Sequence, residues 1–320
     1  GAGGGVGGGW EFGAALFARG GVGGVAGRLG GLAAGLGDAP SDADAWALPL
    51  MPADEAERVL HAFQGPVAEI PPLSVHGLFE RQAASTPNAV ALRLEGACLP
   101  YGELAARARQ VAHRLVAAGV PAGGMVITFV PRSFELIAGM LGLMRAGCAY
   151  VPVDPTYPRQ RIEWMLEDVE PTAILLMPAT RASLPPNDAD TLIFLDGVGR
   201  APAAAAGLSA RRGTPDDVCY VIFTCGRTGR PKGSLNTHGA FVNQLATFNK
   251  ATKLTTRDVV FQFSSISFDM AVLDVFIALC HGASLHLWQR GTWYDALLGA
   301  SDVTYLDTTP SALAQLDRGD

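Results

Sequence analysis

Apolar residues recur along this chain with two periods, and the elements follow from them. Val75, Leu78, Phe79 and Ala83 share one helical face behind Ser74, a residue suited to cap that helix before it stops ahead of Pro87. Leu104, Ala108, Val111 and Leu115 form a second stripe over residues 103–118, with Gly119 as terminator. Phe134–Arg145 predicts a helix capped by Ser133, and Ile162, Met165, Leu166 and Val169 give another helical face. Between these lie short continuous apolar runs at Met125–Val130, Ala173–Met177, Leu192–Leu195 and Cys219–Thr224, which read as strands. Further on come a helix near Gly239–Phe248, a strand at Val259–Phe263, a helix over Asp269–Cys280, and strands at Ser284–Leu287 and Val303–Leu306. Apolar strands alternating with helices predict an α/β fold with parallel sheets covered on both faces.

The start of the chain is different. Residues 1–37 hold 17 of the 39 glycines, which marks a separate region. Within it Val22, Val25, Leu29, Leu32 and Leu36 keep helical spacing, although each interior glycine costs a helix about 1 kcal/mol against alanine. Residues 45–73 carry Pro49, Pro52, Pro66, Pro71 and Pro72 and read as an extended linker.

Composition narrows the classes. Hydrophobic residues are 49% and charged residues 17%, enough for a sizeable core and unlike a disordered chain. The net charge is −6 with scattered lysines and arginines, so no basic block points to nucleic acid. Cys98, Cys148, Cys219, Cys225 and Cys280 include no C-x-x-C pair, and His281 and His286 lack a helical ligand motif, so neither a disulfide framework nor a protein-built metal site is expected. There is no apolar run of membrane-spanning length and no signal-peptide pattern, so no membrane partner is expected and a cytoplasmic protein with reduced thiols fits these features.

The candidate chemistry lies in residues 218–243, VCYVIFTCGRTGRPKGSLNTHGAFVN. An apolar strand breaks there into Thr224, Gly226, Thr228, Gly229, Pro231, Lys232 and Gly233. Bare backbone N–H groups, hydroxyls and a fixed cation are what a polyphosphate needs. A Walker-type loop requires Gly-Lys-Ser/Thr, whereas Pro231 precedes the lysine here and Gly233 follows it. The plainer reading is a glycine-rich turn with an exposed lysine. In either case residues 224–233 are expected to form a loop leaving a strand end.

The stretch Thr224 to Gly233 resembles the T-S-G-S-T-G-x-P-K-G signature of adenylate-forming enzymes, with Cys225 and Arg227 in place of serines. Residues 141–158, LGLMRAGCAYVPVDPTYP, resemble the L-K-A-G-x-A-Y-V-P-I-D-P-x-Y-P signature of nonribosomal peptide synthetase adenylation domains. Leu99-Pro100-Tyr101-Gly102-Glu103-Leu104 is similar to that family's L-T-Y-x-E-L, and Phe268-Asp269 to its F-D-x-S. The first residues resemble the tail of a condensation domain, followed by a linker like L-P-L-L-x-x-x-E-R around Ala47–Arg58.

The resemblance implies the stacked αβαβα layers of that family's large N-terminal subdomain, in truncated form. It implies a condensation-domain remnant at 1–44, a linker at 45–73 and the N-terminal part of an adenylation domain at 74–320. It implies activation of an amino acid by ATP, with magnesium, as the aminoacyl-AMP, and loading onto the phosphopantetheine of a carrier domain; carrier and condensation domains are the implied partners. Thr224, Cys225, Gly226, Arg227, Thr228, Gly229 and Lys232 would hold the phosphates, and Phe268, Asp269, Met270, Leu273 and Asp307 the amino acid. The family's catalytic lysine is expected beyond Asp320, so no catalytic residue is assigned and the chain alone is expected to be inactive. By its residues alone Asp269 is equally a helix N-cap, and Met270 and Leu273 ordinary helix packing. Other readings are a fragment of another adenylate-forming acyl-CoA ligase, or a non-catalytic remnant.

Overall fold

The structure is a computed structural model describing residues 19–38, 40, 42, 44, 46, 48, 51–64, 70–187, 189, 191–199, 213–225 and 230–316. The chain divides into two units, Gly1–Glu69 and Ile70–Asp320. In the first, α1 (Arg19–Asp38) forms where the glycine-spaced apolar pattern predicts it. Its pattern residues do not build a core, however: Val25, Leu29 and Leu36 are exposed. Residues expected to be an extended linker instead include α2 (Ala53–Glu57), which runs into a π turn at Arg58–Ala62. Asp54 and Glu55 in its first turn suit the positive end of a helix, and Glu55 also pairs with Arg28.

The second unit opens with α3 (Val75–Ser85), β1 (Val90–Leu94), β2 (Ala97–Pro100) and α4 (Tyr101–Ala117). It continues through β3 (Met125–Phe129), α5 (Phe134–Arg145), β4 (Ala149–Pro152), α6 (Arg159–Val169), β5 (Ala173–Leu176) and β6 (Leu192–Phe194). Then follow β7 (Val218–Cys225), β8 (Pro231–Thr237), α7 (His238–Thr252), β9 (Val259–Phe261), α8 (Asp269–Leu279), β10 (Ser284–Leu287), α9 (Trp293–Gly299), β11 (Tyr305–Leu306) and α10 (Pro310–Leu316). Ser74 and Ser133 cap as expected: Ser74 Oγ accepts from Gly77 N at 3.3 Å and Ser133 Oγ from Leu136 N at 3.1 Å. Gly119 and Gly147, at φ +78°, turn the chain out of α4 and α5.

Two sheets form, in strand order β6-β5-β3-β4-β7-β8 and β11-β9-β10-β1-β2. All pairings are parallel except β7 with β8 and β1 with β2. Those two exceptions place β8 and β2 at sheet edges. The first sheet shows why its strands are apolar at every position. Val126, Ala173, Leu175, Tyr220 and Ile222 point into one core cluster, and their alternates Ile127, Ile174, Leu176, Val221 and Phe223 into another. The larger cluster joins both sheets through α3, α4, α5, α7 and α8, while α6 closes the opposite face with Ile162, Met165, Leu166 and Val169. The α/β layering expected from the sequence is therefore present.

Candidate functional site

The phosphate-loop candidate is a hairpin more than a loop. The expectation of a loop over residues 224–233 is corrected, because β7 continues through Thr224 and Cys225 and β8 begins at Pro231. In the ladder Thr224 stands opposite Lys232 and Cys225 opposite Pro231. Thr224 Oγ1 donates a long bond, 3.5 Å, to Lys232 O. Gly226, Arg227, Thr228 and Gly229, and the side chain of Cys225, lie outside the described residues. The sequence missed β8 because PKGSLNT is polar and starts with proline; its partner strand supplies the pairing that its own pattern does not announce.

The hairpin is held from below by α6. The Arg230 guanidinium lies 5.6 Å from the centre of the Trp164 ring and 3.8 Å from Glu167. A Cβ at Gly233 would stand 3.0 Å from Val221 Cγ1, so glycine suits this rung of the ladder. The Lys232 side chain is exposed, and among the described residues it pairs with no carboxylate. An ammonium and a hydroxyl opposite each other, near the end where the chain passes from β7 to β8, form a donor set that fits an anionic oxygen cluster. Among the described residues no three His, Cys, Asp or Glu side chains come together as a metal cage.

The amino-acid candidates gather on α8 and β11. Phe268 holds the cap position of α8 and is largely exposed. Asp269 is the first helical residue, and its Oδ1 accepts from Met270 N at 2.9 Å. It stays exposed, near enough to the Tyr220 phenol that, after burial and Cys219, its charge helps push that group up to about 12. Asp269 is thus brought toward β7, the first strand of the candidate hairpin. Met270 is partly buried against the core, and Leu273 is buried within it. Asp307 follows β11 half-buried; burial holds its carboxyl above the usual range, opposed by the Thr308 N–H.

Sequence reasoning missed the most unusual group nearby. Asp274 sits inside the apolar run of α8 at 1% exposure. Burial first, and the Asp307 charge second, push it to about 8. Backbone N–H groups of Ser264 and Phe263 and the Arg132 charge pull the other way, yet neither Asp274 oxygen completes a hydrogen bond. A carboxylate within Ala271–Leu279 was the available signal. Arg132 was also missed: its Nη2 donates to Ser264 O at 2.7 Å, its Nε to Gln262, and it lies 4.2 Å from the centre of the Trp288 ring.

Of the motif residues outside the site, Tyr101 has a structural part. Tyr101 is fully buried and donates to Ala283 O at 2.7 Å, which ties the start of α4 to the approach to β10.

With this geometry in place, the family model described as AMP-binding enzyme matches residues 79–318. The chain belongs to that family. Gramicidin S synthase 2 of Brevibacillus brevis is 35% identical over 272 residues, 82% of this chain and 6% of that protein. Tyrocidine synthase 1 of Brevibacillus parabrevis is 34% identical over 250 residues, 76% of this chain and 23% of that protein. The chain therefore spans a small part of the curated relatives it matches. A nonribosomal peptide synthetase structure, FmoA3 in its AMPPNP-bound form, superposes with a TM-score of 0.79 at 25% identity, over 95% of this chain and 33% of that one. This AMP-binding family member is of the nonribosomal peptide synthetase adenylation type. Among its described residues no helix is long and apolar enough to cross a membrane.

Proposed function

We propose that this chain contributes the phosphate-gripping and amino-acid-binding parts of a domain that converts an amino acid and ATP to aminoacyl-AMP and pyrophosphate. The observation that carries the reading is the pairing of Thr224 with Lys232 near the end where the chain passes from β7 to β8. ATP supplies the electrophilic α-phosphorus and the pyrophosphate leaving group. Lys232 holds the β- and γ-phosphates as a point charge, and Thr224 adds a hydroxyl donor. Gly226, Arg227, Thr228 and Gly229 extend the grip with backbone and side-chain donors, and Cys225 lies beside them. Asp269 meets the α-ammonium of the amino acid; Phe268, Met270 and Leu273 shape the wall next to it, and Asp307 faces the side chain. The product is destined for a carrier-domain phosphopantetheine thiol. Residues 1–44 are read as condensation-domain tail and 45–73 as linker.

The test is nucleotide binding by the purified chain with magnesium. Lys232→Ala is expected to weaken ATP and pyrophosphate about tenfold or more while leaving AMP unchanged, because a charge-assisted contact is worth about 1.5–3 kcal/mol. Equal loss for AMP, or none for any of the three, rules out the β- and γ-phosphate role of this hairpin.

A further inference from the structure

We propose that Arg132 is a positioning residue for the amino-acid half of the site: it ties the end of β3 to the segment that leads into Phe268 and Asp269. The inference rests on the amino-acid site proposed above and adds the group that sets where its carboxylate stands.

The two halves of the site come from different sheets. Thr224 and Lys232 belong to the sheet that contains β3, whereas Asp269 and Asp307 follow β9 and β11 of the other. In each sheet the strands concerned run parallel, β3 with β4 and β7, and β9 with β10 and β11. Ligands bind outside the carboxyl ends of such strands. Arg132, just past the carboxyl end of β3, crosses from one set of strand ends to the other. Its Nε donates to Gln262 Oε1, directly after β9, and its Nη2 to Ser264 O at 2.7 Å and Phe263 O at 3.4 Å. The same guanidinium lies over Trp288, directly after β10, whose Nε1 donates to Gln262 O at 3.0 Å. Ser264 O takes a second bond from Gln262 Nε2 at 2.6 Å. One planar group thus clasps residues 262–264.

Those residues lead to the candidate carboxylate. Phe268 N donates to Ser265 O at 2.9 Å, closing the turn that starts α8. Downstream the chain is held by the helix itself, since Ala271 to Leu279 are buried. Upstream it is held by buried Ile266 and by the Arg132 clasp. Phe268 and Asp269, between them, are exposed, and among the described residues the Asp269 carboxylate bonds only to Met270 N of its own helix. Arginine suits the post because it donates in two directions while stacking on a ring; lysine keeps the charge and gives up that fork. Gln289 Nε2 donates to the Arg132 carbonyl, so one tie between the strand ends survives any side-chain substitution at 132.

The experiment compares the 320-residue chain with Arg132→Lys and Arg132→Met, each verified as folded by circular dichroism. Calorimetry measures binding of ATP with magnesium and of each proteinogenic L-amino acid, and hydrogen exchange follows residues 265–271. Both variants are expected to bind the parent's tightest amino acid about tenfold more weakly, to bind ATP as the parent does, and to exchange faster at 265–271. Arg132→Lys carries the test if Arg132→Met does not fold. Unchanged amino-acid affinity, or unchanged exchange at 265–271, overturns the positioning role. Equal weakening of ATP does so too, because it means a general loosening of the fold. Failure of the amino-acid site itself shows differently: the parent binds no amino acid at all, and the role of Arg132 falls with the site.

Discussion

The Arg230 guanidinium lies over the Trp164 ring: its carbon, on the residue just before β8, stands 5.6 Å from the centre of that ring on α6. Glu167, one helical turn beyond Trp164, adds a 3.8 Å ion pair from the same face. Both partners of that pair are well exposed, so the contact steers the hairpin more than it stabilises the fold. Trp164→Ala is expected to cost only about 0.5–1 kcal/mol in denaturant unfolding. It should also speed amide exchange at residues 232–233. Unchanged exchange there means that α6 does not hold the hairpin.

Acid should destabilise the fold through two histidines. His76 accepts or donates at Ser74 Oγ, 3.1 Å away, and His238 Nδ1 accepts from Val75 N at 3.3 Å. Burial is the main cause that lowers them, to about 3 and about 4. The unfolded chain takes up protons near pH 6.5 that the folded chain refuses until the lower values. Stability therefore falls as pH drops from about 6.5 toward 4, by about 1.4 kcal/mol per pH unit for each site. Urea midpoints across that range check the slope, and His76→Gln should flatten it.

Asp274 should act in the opposite direction. Its folded carboxyl holds a proton up to about 8, while an unfolded aspartate loses it near 3.8. Native stability then falls as pH rises through that window. Asp274→Asn removes the dependence, so the variant's advantage over the parent should grow by about 1.4 kcal/mol per pH unit between pH 5 and 8 and level off above. A constant difference across this range means that the group is already ionised in the fold.

The α4–α5 crossing tolerates no side chain at Gly142. A Cβ there would lie 2.6 Å from Val111 Cβ and 2.7 Å from Ala108 O, both rigid neighbours. Gly142→Ala is expected to cost about 1–3 kcal/mol through overpacking, despite alanine's better helix propensity. Gly139→Ala is the contrast: its Cβ would meet the mobile end of Leu195 at 3.1 Å, and the thermal midpoint should fall less.

The sequence pattern found the buried elements because burial on two faces demands apolar residues at every position. Ile162, Met165, Leu166 and Val169 are the buried residues of α6, as their spacing predicts, and Ser284–Leu287 is β10 to the residue. The hairpin β1–β2 escaped notice because its strands are short. Its turn is signalled only by Glu95 and Gly96, both at positive φ, which close the two-residue loop. At the site, the motifs led to Thr224, Lys232, Asp269 and Asp307; a carboxylate inside an apolar helical run marks Asp274, but neither motif nor spacing shows what surrounds Asp274 or Arg132, because those neighbours come from distant segments.

By itself the sequence determined the α/β alternation, the capped helices, and the family to which the phosphate signature points. These are local properties: period, cap and motif are each written within a few residues. The tertiary structure alone decided that Pro231–Thr237 is an edge strand, since a polar segment becomes a strand only when a neighbour offers its backbone groups. It alone decided that Leu273 faces the core while Asp274, the next residue, is buried without a partner. The environment of a side chain on an apolar helix is set by what packs against it, and here that is β9, β11 and the 262–264 segment.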